Sequence, residues 1–530
     1  MIDVLIIGSG GAGLTAALSA QEAGASVLVV GKAYPTNSQT SMAQGGMNAA
    51  LGNVGDDSIE SHIADTIKSA RGLCDEAMVR QMCEDAPKTI AWLESIGVPF
   101  SRLDNGKFGT ATVAQRQMGG ASAKRACYAQ DYTGLKILHT LYDTCLKEKI
   151  DFLDEHYMLN LIVENNTAKG ATFLDIRTGE VKQINAKSVI VATGGYSSIY
   201  HGYTTNAYGS TGDGIAATIR AGGAVSDMEF IQFHPTALKS SSILISESAR
   251  GEGGYLVNSD GERFIDELKP RDEVARAIYE QFKKEQEVFL DVRHLGEEKL
   301  MKLLPQEIAL CKLHEHVDPA TELIPIKPVA HYSMGGIVVN HMLEVENIKG
   351  CYAVGECSNA KIHGANRLGG NSLLEITALG KRVGENAFDY ATNASNNEAD
   401  DTQLQTDKKQ IEIIYSQDNS INFYNYRESL GSLFYKRVGI TRDNKNLNLA
   451  SDEVSGMQAS AKKMGLSDKG PTNNTNLIDY LEFTNALLLA PIIIASAITR
   501  DESRGAHYKL GFEEQNDETF KKHIIQVWKD

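Results

Sequence analysis

The first residues placed to do chemistry are glycines. Gly8, Gly10 and Gly13 follow the apolar run Val4-Leu5-Ile6-Ile7 and open a small-residue stretch that reaches about Ala23. A strand, a glycine turn and a helix start, in that order, bring backbone N–H groups and the positive end of a helix dipole against a pyrophosphate. The spacing therefore predicts a dinucleotide site; a merely tight strand–helix turn is the alternative reading. The acidic residue that usually holds a ribose after the second strand is missing, because Gly31-Lys32 follows Val27–Val30. That weakens NAD and selects no other dinucleotide. Asp213, in Thr211-Gly212-Asp213-Gly214, and Glu356 are the remaining acidic candidates near turns, although a lone Asp there more often caps a helix. Metal chemistry is not expected. The seven cysteines form no Cys-x-x-Cys pair, which argues against a four-cysteine zinc site or an iron–sulfur cluster, and their odd number argues against a disulfide framework. His314-Glu315-His316 is too closely spaced for a helical zinc pattern and reads as a solvated face.

The glycine turn needs a sheet beneath it. Val4–Ile7 before Gly8, Lys187–Val191 before Gly194-Gly195, and Gly350–Val354 before Gly355-Glu356 are three strand-then-glycine segments spread over 350 residues. They imply one α/β sheet, from 1–225 and 336–390, interrupted by an insertion at 226–335. A polar stretch at 391–407 reads as a linker, and 408–530 as mainly helical. Glycine takes 48 of the 530 positions against 11 prolines, which fits many tight turns and close backbone–ligand approaches. Apolar residues at 42% and charged residues at 23% describe a large folded core. The net charge is −16 with no Lys/Arg-rich block, so no nucleic-acid partner is expected. Free thiols fit a reducing compartment. The N-terminus lacks a basic region and reads as a strand, not a signal peptide. The longest apolar stretch, Leu487–Ile498, contains Pro491 and is too short to span a bilayer, so a buried helix is expected there and no direct membrane span.

Motifs along the rest of the chain add a family. They include Lys32-Ala33-Tyr34-Pro35, Ala43-Gln44-Gly45-Gly46, Gln232-Phe233-His234-Pro235-Thr236, Arg250-Gly251-Glu252-Gly253-Gly254, Pro270-Arg271-Asp272, His331-Tyr332-Ser333-Met334-Gly335-Gly336, Asn366-Arg367-Leu368-Gly369-Gly370-Asn371-Ser372-Leu373 and Glu502-Ser503-Arg504-Gly505-Ala506-His507. Through them nearly the whole chain resembles the flavoprotein subunits of fumarate reductase and succinate dehydrogenase. The resemblance implies a Rossmann-like FAD-binding domain, an α+β capping domain at 226–335 and a helical C-terminal domain. FAD would lie across Gly8–Gly13, with Lys32, Ser38, Gln44, Gly45, Asp213, Glu356, Ser372 and Leu373 near it. An iron–sulfur subunit would exchange electrons with it, linked in turn to a quinone- or thiol-reactive partner. The expected location is cytoplasmic, with membrane association only through such partners. Respiratory members carry a flavin-linking histidine within Ser-His-Thr, where this chain has Asn37-Ser38-Gln39-Thr40. Glutamine has no nucleophilic ring nitrogen, so the FAD is expected to be non-covalent, which tilts the reading toward fumarate reduction.

Reducing a C=C bond flanked by two carboxylates requires hydride from flavin N5 for one carbon, a proton for the other, and donors that hold both carboxylates. The resemblance implies that His234 and Arg367 bind one carboxylate and that His331 helps to polarise it. Ser246, where a threonine is usual, keeps a hydroxyl donor. Arg271 would be the proton donor, re-protonated through Glu247 and Arg250, since an arginine with a pKa above ~12 is a poor acid on its own. Taken alone, Glu247 and Arg250 could be a one-turn ion pair and Arg271-Asp272 a helix-start pair. L-aspartate oxidase is the nearest rival activity, but Arg116-Gln117-Met118-Gly119-Gly120 is closer to the fumarate reductase pattern, with Met118 where phenylalanine is usual. A non-catalytic flavin-binding subunit is the other rival. The retained His234, Arg250, Arg271, His331 and Arg367 argue against it.

Overall fold

The computed structural model describes residues 1–103, 109–207, 209–394 and 398–527. Its central sheet has seven strands, and the first of them, Ile2–Ile7, lies between Val27–Val30 and Val181–Val191, parallel to both. Asp151–Leu153 extends the sheet beyond Val27–Val30. The long strand Val181–Val191 organises the other half. Its first part pairs antiparallel with Thr167–Asp175, and its last residues pair parallel with Cys351–Ala353. The three strand-then-glycine segments thus share one sheet, as their pattern predicts. Continuous Val/Ile/Leu runs suit such strands because both faces are covered. Covering one face are the helices Gly11–Ala23 and Asn371–Asn393, which approach closely because Ala16 and Ala20 oppose Gly384, where a Cβ would stand 2.4 Å from the Ala16 carbonyl oxygen.

The insertion builds its own layer. Ile231–Leu238, Ile324–Ser333, Val288–Asp291 and Tyr255–Asn258 form an antiparallel sheet in that order. Helices Arg271–Lys283 and Pro305–His314 contribute Val274, Ile278 and Ile308 to a second apolar cluster with Leu238, Leu256, Leu290 and Ile326.

Three features differ from the expectations. The 391–407 stretch is only partly a connection, because Asn371–Asn393 and Thr402–Ser416 are helices and Asp407 is buried, accepting from Asn160 at 2.7 Å. The tail is not helical to its end, since Ile525–Val527 adds a strand to Ala224–Ser226. Pro491 does not interrupt its helix, which runs Thr475–Thr499. Proline removes the N–H that would bond the Leu487 carbonyl, and the Gln458 side-chain amide replaces it at 2.9 Å. By length and composition this 25-residue helix could cross a membrane, so the length argument against a span fails; 67% of its most apolar window is buried inside the fold.

Candidate active site

The parallel strands end at Ile7, Val30, Val191 and Ala353, and the residues just after each line one deep cleft with about 1680 Å³ of empty space, its mouth included. Carboxyl ends of parallel strands are where such sheets bind ligands. The three glycines of the first turn do different work. Gly8 has φ +113° and a Cβ there would stand 2.2 Å from the Ala192 carbonyl oxygen, while one on Gly13 would stand 1.9 Å from that of Gly8. Both are required by the protein's own packing. Gly10 has an ordinary φ of −78° and no neighbour nearer than 3.6 Å to a Cβ. Its missing side chain leaves room in the cleft.

Among the residues expected near the cofactor, Gly8, Gly10, Lys32, Ser38, Gln44, Gly45, Asp213, Glu356, Ser372 and Leu373 line the cleft, and Gly13 lies beneath it. The Ser38 hydroxyl and the Gln44 side-chain carbonyl, both in the cleft lining, are buried without a hydrogen-bond partner among the described residues. Most buried polar groups in proteins are paired, so unpartnered atoms in the cleft lining fit a polar group held there. Asp213 is more constrained than the sequence implies. Its carboxylate accepts from Lys32 at 2.6 Å, Thr211 at 2.9 Å, Tyr157 at 2.9 Å and Asn485 at 2.9 Å, which fills it from within the chain. Burial lowers the Lys32 pKa, but Asp213 and Glu482 outweigh it and hold the ammonium charged. Glu356 accepts from the Ser333 N–H at 2.9 Å through one oxygen, and burial pushes it up to about 7 against that bond. Gln39 also lines the cleft, its side-chain oxygen accepting from the Ala207 N–H at 2.7 Å.

His234, Ser246, Glu247, Arg271, His331 and Arg367 line the same cleft. Backbone irregularity aims the two histidines. Ile231–Leu238 and Ile324–Ser333 slip register twice, so that His331 is the unpaired extra residue between Ala330 and Tyr332, and the second slip follows His234, where Pro235 has no N–H to give. The rings sit 4.9 Å apart. His234 Nδ1 lies 3.1 Å from the Thr236 carbonyl oxygen and 3.2 Å from the Thr236 N–H, so the Thr236 backbone fixes the ring and leaves Nε2 without a chain partner among the described residues. Burial, then the Arg271 charge, keeps both imidazoles neutral by pushing their pKa values well below the usual value.

Arg271 opens its helix after Pro270. It donates to Glu247 at 3.1 Å from Nε and 2.8 Å from Nη2, and to the Gln232 side-chain oxygen at 3.0 Å from Nη1. Glu247 is fully buried on the single turn Glu247–Gly251 and also accepts from the Gly119 N–H at 3.1 Å and from Arg250 at 3.4 Å. Burial pushes its pKa up, but Arg271 and Arg250 outweigh that and hold it below the carboxylate range. Arg250 does not reach the cleft. It lies behind Glu247 and donates to the Glu267 carbonyl at 2.6 Å, and the Glu267 carboxylate pairs with the half-exposed Arg263. The contacts therefore run from the cleft through Arg271, Glu247 and Arg250 toward the surface. Arg367 donates to Gln232 at 3.2 Å, and its Nε has no partner; burial, then Arg271, lowers its pKa to about 10. Ser246 caps the Glu247 turn, accepting from the Ser248 N–H at 3.0 Å and donating to the Ser248 hydroxyl at 2.9 Å.

Three participants were not singled out in the sequence. Gln232 joins Arg271 to Arg367, the Gly119 N–H holds Glu247, and Thr205 meets His331 Nδ1 at 2.7 Å. Gln232 had a readable signal, two residues before His234 on one strand. Among the described residues no group of three or more His, Cys, Asp and Glu is placed to hold a metal.

A cleft at the carboxyl ends of parallel strands, lined by a glycine turn and by buried arginines and neutral histidines, is the site of a dinucleotide-dependent enzyme acting on an anionic substrate. The chain's relatives make the dinucleotide FAD and the class an oxidoreductase. The chain matches the FAD binding domain family over residues 3–373 and the fumarate reductase flavoprotein C-terminal family over 427–530. It belongs to the family of fumarate reductase and succinate dehydrogenase flavoprotein subunits. It is 40% identical to the 8-methylmenaquinol:fumarate reductase flavoprotein subunit of Wolinella succinogenes, across 99% of this chain and 88% of that one. It is 37% identical to the fumarate reductase flavoprotein subunit of Escherichia coli, across 99% and 91%. A solved quinol-fumarate reductase with menaquinol molecules superposes with a TM-score of 0.93 at 36% identity, covering 99% of this chain and 95% of the other.

Proposed function

We propose that the chain interconverts fumarate and succinate as the flavoprotein subunit of a fumarate reductase, with reduction the working direction. One observation carries this reading: Arg271 and Arg367 line the cleft, Glu247 pairs with Arg271 and with Arg250 behind it, and both histidines are neutral. Buried guanidinium groups facing a cleft suit an anionic substrate such as a dicarboxylate, since a buried charge must be paired. When bound, FAD supplies the hydride chemistry. The chain's own residues do the rest. Arg367 and His234 bind one carboxylate, and His331 helps to polarise it. Binding fixes the double bond in one orientation. Arg271 gives a proton to the second carbon, and Glu247 restores it with Arg250 behind. The residue limits 1–225 and 336–390 for the FAD-binding domain, 226–335 for the capping domain and 408–530 for the helical domain are part of the same proposal.

The deciding experiment is anaerobic. Protein with FAD and reduced viologen is expected to consume fumarate and to form no aspartate-dependent peroxide when air is admitted; the opposite result would make it an L-aspartate oxidase. FAD is held without a covalent bond in this reading, supported by the Gln39 amide that is tied to the Ala207 backbone. Acid precipitation is expected to leave yellow flavin in the supernatant, and a yellow pellet would contradict the Gln39 argument. Electrons pass through an iron–sulfur subunit, itself coupled to a quinone- or thiol-reactive partner that gives any membrane association. The relatives' designation as subunits supports this, as do seven unpaired cysteines, six of them buried.

A further inference from the structure

Tyr332 is the side chain against Arg367 that the mechanism above does not use. Its ring lies under the guanidinium, 4.3 Å from the ring centroid. Its hydroxyl donates to Glu375 at 2.9 Å, and the same carboxylate oxygen meets His363 Nε2 at 2.9 Å. The phenol, Glu375 and His363 are all buried. Burial, then the Glu375 charge, pushes the Tyr332 hydroxyl well above its usual value, so it stays a donor. Among the described residues the Arg367 guanidinium has one acceptor, Gln232, and its Nε has none.

A buried arginine needs its charge stabilised, and the usual partner is a carboxylate, which would occupy the N–H groups and cancel the charge. An aromatic face does neither. It attracts the cation from above its plane and leaves the in-plane N–H fork open. We propose that Tyr332 is a positioning residue that holds the Arg367 guanidinium in its binding plane through its ring face while keeping its donors free for the substrate carboxylate, and that Glu375 fixes the ring. This rests on the reading of Arg367 as a carboxylate-binding residue.

The test compares Tyr332→Leu and Tyr332→Met, which remove the face, with Tyr332→Phe, which keeps it. All are assayed as FAD-loaded protein for fumarate kcat and KM, and for succinate Kd by the shift of the flavin spectrum. Leucine and methionine are expected to raise KM and Kd roughly tenfold, the size of a desolvated cation–π contact. They should leave kcat within about threefold, and phenylalanine should restore most of the affinity. A general packing defect would instead lower FAD content and kcat together in the leucine and methionine variants and would overturn the proposal. Wild-type KM and Kd in Tyr332→Leu or Tyr332→Met, or equal losses in Tyr332→Phe, would overturn it too. Arg367→Met serves as the reference. If it leaves succinate Kd unchanged, the reading of Arg367 falls; if it abolishes binding while Tyr332→Leu does not weaken it, only the role of Tyr332 falls.

Discussion

Arg271→Lys is expected to lower fumarate turnover by at least ~10³-fold while the protein remains yellow, with FAD content unchanged. The size follows from what general-acid catalysis contributes, about 10²–10⁴-fold, and from geometry that lysine cannot copy. Arg271 uses three separate N–H groups in one plane to reach Glu247 twice and Gln232 once. An ammonium is a point donor on a flexible stem and cannot span both partners. Glu247 would then keep a full charge in a buried place with weakened pairing, which is costly. Flavin content separates loss of the proton donor from loss of the cofactor. Near-normal turnover in this variant would remove Arg271 from the role of proton donor.

Gly10→Val should abolish FAD binding, with a loss of at least ~100-fold in affinity, while the apoprotein melts within a few degrees of wild type. The backbone of Gly10 is already in a conformation that any residue adopts, and a Cβ meets nothing closer than 3.6 Å. A Cβ there makes only ordinary contacts with Ser38 and Thr40, and the added bulk stands where a ligand enters the cleft at the helix N-terminus. Gly13→Ala should do the reverse. Its Cβ would strike the Gly8 carbonyl oxygen at 1.9 Å, so the strand and helix must separate and the fold itself loses stability. The pair is read by flavin fluorescence titration and by thermal melts of the apoproteins. Equal flavin affinity in Gly10→Val and wild type would move the cofactor away from this turn.

Backbone chemistry made the core of the sheet legible. Gly8 is fixed by a positive φ and a close carbonyl, and such a constraint leaves a glycine in the sequence directly after an apolar run. The charged cluster was legible for a similar reason, as guanidinium and imidazole groups have few substitutes for holding carboxylates. What escaped were contacts made by ordinary residues across long sequence distances. Gln232 matters because its oxygen lies between Arg271 and Arg367, and nothing about a glutamine announces that. Asp213 shows the opposite failure: it lies in the cleft wall as the motifs imply, yet four chain donors already fill its carboxylate. The helix through Pro491 depended on Gln458, 33 residues earlier, and the tail strand on an edge offered by Ala224–Ser226. Local pattern carries neither fact.

The cleft also sets a timetable. Its floor is laid by turns after residues 7, 30, 191 and 353, and the helix that carries Ser372 and Leu373 closes it. Val181–Val191 cannot acquire both parallel neighbours until Cys351–Ala353 has been made. At synthesis rates of about 5–20 residues per second, that interval lasts roughly 20–70 s from the first residue. Until then the hydrophobic strand Ile2–Ile7 lacks part of its sheet, and no shorter nascent chain contains the full set of turns. Long-range pairing of this kind is intrinsically slow. Cofactor capture by the complete cradle is consequently a late event in the life of a newly made molecule, and its first ~20–70 s are spent with the nucleotide fold unfinished.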